Sequence, residues 1–109
     1  MLDAILHQPV RTHIVAYLVG RGGATFTELK RVLQVSDGNL ESHLKKLHAA
    51  GYIRSSKDDS QARQQTLYRL TGSGHAALRV YAKKLQGLLR FETGSKANTL
   101  AVGLSKKLA

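Results

Sequence analysis

Residues 25–51, TFTELKRVLQVSDGNLESHLKKLHAAG, contain two helix starts too close together to belong to one helix. Thr25 and Glu28 have the S/T-x-x-E spacing of a capping box, in which each side chain answers a backbone N–H of the first turn. A short helix over about Phe26–Leu33 follows, with Phe26, Leu29 and Leu33 inward. Ser36 is a good N-cap for a second helix, from Asp37 to about Ala50, and Gly51 suits its left-handed stop. In that helix Leu40, Leu44 and Leu47 share one face. Two helices joined by so short a turn make a helix-turn-helix.

The flanks complete the architecture. MLDAILHQPVRTHIVAYLVG predicts two short helical pieces. Leu2, Ile5 and Leu6 mark the first; Pro9 opens the second, with Val10, Ile14, Tyr17 and Leu18 as its stripe. GRGG at 20–23 ends it. Beyond Gly51, YIRSSK and TLYRLT predict two strands joined by the polar loop DDSQARQQ, a hairpin with a long tip. Thr71 can cap a last long helix through about Phe91, striped by Leu78, Tyr81, Leu85, Leu88 and Leu89. Gly72, Gly74 and Gly87 weaken it locally. The expected fold is mainly α with a small β-hairpin: a winged helix-turn-helix over residues 1–91 with N- and C-terminal dimerisation helices. Residues 92–109 form a tail, either a frayed arm or a short amphipathic helix.

Charge narrows the partners. Seventeen Lys and Arg against seven Asp and Glu give +10. Residues 1–50 carry six basic and four acidic groups, and residues 51–109 eleven and three. Such a field favours an anionic polymer or an anionic membrane surface. With no cysteine, disulfides, cysteine zinc sites and thiol catalysis are excluded, and an intracellular protein is the easier reading. No apolar run approaches the roughly 20 residues of a membrane span. The N-terminus, with Asp3 and His7 among apolar residues, lacks the pattern of a signal peptide. No nucleophile elbow, phosphate loop or acid pair supports an enzyme. His7, His13, His43, His48 and His75 have no metal-ligand spacing, so neither a metal nor another cofactor is expected. His43, at the edge of the buried face, is expected to pack and to bond locally.

VSDGNLESHLKKLHAAGYI, followed by YRLTGSGHAAL, resembles the small stand-alone winged-helix transcriptional regulators of the MarR/ArsR-like kind. The pattern lies in the polar first turn, S-x-HL-x-x-L, the closing GYI and the later LT-x-x-G, and covers about residues 5–90. The resemblance implies a homodimer that binds duplex DNA and usually represses transcription. The chain departs from it in three ways. It lacks the thiolate metal site of many ArsR-like sensors, and it is shorter than most MarR proteins. Gln34 also stands where many relatives have glycine in the turn; if left-handed, glutamine costs roughly 1 kcal/mol or more there.

The helix from Asp37 presents Gly38, Ser42, Lys45 and Ala49 opposite Leu40, with Glu41 and Lys46 on the flanks. Small residues in a first turn allow close approach to a major groove roughly 12 Å wide, with free N–H groups for phosphate. Asn39 can read adenine, and Ser42 several bases. Taken alone, Asp37, Gly38 and Asn39 are also simply common near helix starts. Asp37 suits the helix dipole. Glu41 can accept from cytosine or pair with Lys45 four residues on, the second being preferred. Arg54, Lys57 and Arg63 are the wing candidates, although Asp58 and Asp59 cancel local charge as in a plain solvated loop. Lys30 and Arg31 suit either phosphate contact or an ordinary surface.

The sequence therefore predicts a cytoplasmic, nucleoid-associated, homodimeric, sequence-specific regulator of transcription, read as a repressor at a roughly palindromic operator, although the residues themselves do not separate repressor from activator. Its DNA-binding set is Ser36, Gly38, Asn39, Glu41, Ser42, Lys45, Lys46, Arg54, Lys57 and Arg63, on the helix 37–50 and the wing 54–69. Its dimerisation set is Leu2, Ile5, Leu6, Leu78, Tyr81, Leu85, Leu88 and Leu89. No membrane partner is expected, and an effector is not readable. The competing reading is a winged-helix protein-interaction module for an acidic partner.

Overall fold

The computed structural model describes residues 1–60 and 62–93. Helix α1 (Pro9–Leu18) leads through strand β1 (Ala24–Thr25) into α2 (Phe26–Leu33) and α3 (Asp37–Ala49). Strands β2 (Ile53–Asp58) and β3 (Gln65–Leu70) form the hairpin, and α4 (Gly72–Thr93) closes the chain. The hairpin expectation needs one addition. Ala24–Thr25 joins as a third strand, antiparallel to β3, in the order β1-β3-β2. Two residues carry no readable period, so only the neighbouring strand makes them a strand. The tail expected over 92–109 lies, beyond Thr93, outside the described residues.

One core joins these elements. Ile14, Val15 and Leu18 of α1 meet Leu29 of α2, Leu40, Leu44 and Leu47 of α3, Ile53 of β2, Leu6 and Tyr81, all buried. Helix starts follow the capping rules. Gln8 Oε1 accepts from the Arg11 N–H at 2.8 Å, Thr25 Oγ1 from the Glu28 N–H at 3.1 Å, and Thr71 Oγ1 from the Gly74 N–H at 3.0 Å. Only half of the capping box forms. The Glu28 carboxylate does not reach back but accepts from the Tyr17 hydroxyl at 2.5 Å, tying α2 to α1.

The first helix expected around Leu2–Leu6 is instead a turn. Asp3 Oδ1 accepts from the N–H groups of Ile5 and Leu6 at 2.8 and 3.2 Å, closing a compact local structure that does not propagate. Gln8, before Pro9, must be extended, which ends the turn. Its position is fixed by distant partners: Tyr52 donates to Asp3 Oδ2 at 2.5 Å, and His7 Nδ1 lies 2.9 Å from the Tyr81 hydroxyl. This turn covers α4, and two residues assigned to dimerisation are consumed by it. Leu6 is 0% and Tyr81 7% exposed inside the single subunit. Leu2, Ile5, Leu78 and Leu85 are half-buried against the same core, whereas Leu88 and Leu89 remain exposed.

Candidate nucleic-acid interface

Gln34 creates the joint between α2 and α3. It caps α2 at φ 54° and ψ 51°, left-handed, and is the one non-glycine residue with positive φ among those described. Val35 and Ser36 complete the three-residue turn, and Ser36 Oγ accepts from the Asn39 N–H at 3.1 Å. Across the turn Lys30 Nζ meets Asp37 Oδ1 at 2.8 Å. The expected Glu41–Lys45 pair is not formed. Lys30 takes the ionic role because Asp37, in the first turn of α3, faces the last turn of α2. That pair occupies Lys30, one of the two α2 residues considered for phosphate.

Leu40, Leu44 and Leu47 anchor α3 from within, leaving Gly38, Asn39, Ser42, Lys45 and Lys46 exposed. A β-carbon built at Gly38 meets nothing within 4 Å, so open space surrounds the start of the helix. On the hairpin side, Glu41, Leu44, Lys45 and His48 of α3 line a groove of about 240 Å³ with Ser55 and Tyr68 of the sheet. Burial, and then the Glu41 carboxylate, push the Tyr68 hydroxyl above its ordinary pKa, so at neutral pH it remains protonated, a donor. The sequence reading missed His48, Ser55 and Tyr68. Tyr68 reads as an ordinary strand residue until pairing sets it opposite Ser55.

Strand alternation divides the wing residues. Ser55 and Lys57 share the face of β2 that carries Ile53, toward α3. Arg54, directly across from Arg69, lies on the other face. Arg69 is tethered there, its Nε donating to the Gly22 carbonyl at 2.7 Å. The acids at the tip shape it. Asp58 Oδ1 accepts from the Ser60 N–H and hydroxyl at 3.0 and 2.6 Å, and Asp59 Oδ1 from Gln64 Nε2 at 2.8 Å. Arg63 is exposed beside them. His43 packs as expected, but its buried Nδ1 has no hydrogen-bond partner among the described residues.

A helix-turn-helix, a three-stranded sheet ending in a projecting hairpin, and a long closing helix define a winged-helix DNA-binding protein. Residues 10–89 match the family described as the winged helix DNA-binding domain, and the chain belongs to it. It is 38% identical over 77 residues to an uncharacterized protein of Methanocaldococcus jannaschii, a match covering 71% of this chain and 84% of that one. Among solved structures it is similar to a transcriptional regulator homologue from Pyrococcus horikoshii OT3. That likeness has 27% identity and a TM-score of 0.78, and covers 84% of this chain and 90% of the other. The S. aureus MepR–DNA complex shares the fold at 17% identity and a TM-score of 0.66, covering 96% and 83% of the two chains. The protein is a small winged helix-turn-helix DNA-binding protein with the MarR-type fold. Among the described residues no helix is long and apolar enough to cross a membrane.

Proposed function

We propose that this protein is a homodimeric repressor that binds a roughly palindromic operator. Each subunit lays α3 in a major groove. Gly38, Asn39 and Ser42 face the bases, with Ser36 and the first-turn N–H groups at phosphate. Lys45, Lys46, Lys57 and Arg63 hold the backbone, and Arg54 adds positive field from the far face of the wing. Glu41 sits at the groove edge, where a cytosine amino group is its natural donor. The observation that carries this reading is the joint exposure of one polar-to-basic face of α3 and the adjoining hairpin. The MepR structure named above, a complex with DNA, supports the docking mode.

Support for the dimer comes from the last turns of α4. Leu88 and Leu89 are 44% and 56% exposed, an apolar end that a two-fold partner would cover. Leu85 borders it. The two recognition helices would then meet half-sites about 34 Å apart, or a multiple of that. Selection of bound sequences from random duplexes tests the whole reading. The expected product is a two-fold symmetric site bound with steep salt dependence. Asymmetric single half-sites, together with light scattering showing a monomer at micromolar concentration, would remove the dimer. Salt-insensitive or absent duplex binding would return the protein to the protein-interaction class.

A further inference from the structure

Two buried polar atoms lack a hydrogen-bond partner among the described residues: Nε of Arg11 and Nδ1 of His43. Buried polar groups in folded proteins are nearly always answered, so a pair of orphans in one place calls for a reason. They stand at one corner, where α1 packs across α3. Arg11 continues the line of Ile14 and Leu18 along α1, which draws its stem into the domain. Lys46, three residues after His43, is exposed beside them. The charged groups facing His43 are Arg11 from α1 and Lys46 from its own helix. Among the described residues no acid balances them: Asp37 is held by Lys30, and Glu41 lies on the opposite flank near Tyr68.

We propose that Arg11, His43 and Lys46 form a phosphate-binding corner that takes one backbone phosphate of duplex DNA on the side of α3 away from the hairpin. The proposal rests on the DNA-binding reading above and extends it to two residues outside the expected contact set. A helix in a major groove has a phosphate backbone along each edge. Lys45 and Lys57 serve the hairpin edge. The other edge needs its own cations, and this corner supplies them. Neither orphaned nitrogen is bonded where it stands, so turning the guanidinium and imidazole outward sacrifices no hydrogen bond. Phosphate then offers acceptors that the free protein lacks, and guanidinium suits them by its fork of donors.

The corner also links binding to protons. Burial first, then the charges of Arg11 and Lys46, hold His43 below its ordinary pKa of 6.5, so at neutral pH it is uncharged in the free protein. An arriving phosphate reverses the local sign and raises that pKa. A group whose pKa is higher in the complex favours binding increasingly as pH falls between the bound and free values.

The test is a salt titration of a random duplex, from roughly 50 to 200 mM, at about pH 5.5 and about pH 7.5. It compares the unaltered protein with Arg11→Met, His43→Gln and, as a control on α4, Lys83→Met, with thermal melts for each. Arg11→Met is expected to lower the salt slope by up to about 0.9, the value of one phosphate, and Lys83→Met to leave it unchanged. Binding by the unaltered protein is expected to tighten on the acid side as His43 takes up a proton in the complex, and His43→Gln to lack that gain. Should Arg11→Met fail to fold, the pH response of His43→Gln decides alone. Folded variants that keep the slope and the pH response of the unaltered protein would overturn the corner and leave DNA binding intact. No salt-dependent binding by the unaltered protein would overturn both.

Discussion

Gly38→Ala should change stability and binding in opposite directions. Gly38 is the second residue of α3 and has no left-handed backbone requirement, and its added β-carbon would have no neighbour within 4 Å. Alanine therefore gains helix propensity without a clash. The full interior gain is about 1 kcal/mol, and in a first turn about half of that is reasonable. For a domain of this size, about 0.5 kcal/mol corresponds to roughly 2–4 °C in Tm. The open space around Gly38 in the free protein is where the groove of DNA is proposed to lie. There the methyl group meets base edges or backbone, and overpacking of a close contact costs about 1–3 kcal/mol. The middle of that range is roughly a thirtyfold loss of affinity. The assay pairs a thermal melt with duplex titration of the same preparation. A variant that melts higher and binds equally well would refute close approach at this turn, leaving Gly38 as an ordinary helix-start glycine.

Three further substitutions test the scaffold. Gln34→Gly should stabilise the protein by up to about 1 kcal/mol by relieving the left-handed strain, measured by urea unfolding; a loss of stability would show that glycine's greater unfolded entropy dominates. Gly74→Ala should destabilise by about 1–3 kcal/mol, because its β-carbon would lie 2.2 Å from the Tyr52 carbonyl that accepts the Thr71 N–H; an unchanged melt would mean that α4 shifts freely. Asp3 gives a pH signature. Burial raises its pKa, but the hydrogen bonds from Tyr52, Leu6 and Ile5 outweigh this and hold it below 3.8. Its contribution is thus complete above the ordinary value and lost as pH falls through the folded one. Tyr52, raised above 10.0 by its hydrogen bond to Asp3, then by burial and the carboxylate charge, loses its share as pH rises through its folded value. Tyr52→Phe should flatten both limbs of a Tm–pH curve, and unchanged limbs would dismiss this bond as a stabilising link.

Local chemistry made the helix-turn-helix legible. Thr25, Ser36, Gly51 and Thr71 each act within a few residues of themselves, and their side-chain oxygens or left-handed backbone lie where spacing alone predicts. What escaped reading depends on partners far along the chain. Asp3 and Tyr52 are 49 residues apart, and His7 and Tyr81 are 74 apart. Without those bonds the N-terminal stripe looks uncovered, so Leu6 and Tyr81 read as interface when they are core. Arg54 and Lys57 looked equivalent in the sequence, and only strand register separates their faces. Glu28 shows the same limit within one motif: its spacing predicts a reach back to the cap, but tertiary packing offers it Tyr17 instead.

The division of charge ties the fold to the proposed interface. A chain with seven acids and seventeen bases cannot neutralise itself, so it matters which cations are left over. Asp3 is held by Tyr52, Glu28 by Tyr17, Asp37 by Lys30, and Asp58 and Asp59 by Ser60 and Gln64. Four of these five acids are engaged by neutral groups, so they organise turns and joints without cancelling cations. Several bases away from α3 are also engaged: Arg21 lies 3.9 Å over the Tyr17 ring, Arg69 donates to Gly22, and Lys84 to the Met1 carbonyl. Lys45, Lys46, Lys57 and Arg63 form no ion pair among the described residues. Part of the unbalanced charge therefore stands on α3 and the wing, where the helix also presents its smallest residues. Neutral partners for the acids leave those cations free to release counterions on meeting a polyanion, which is the source of steep salt dependence.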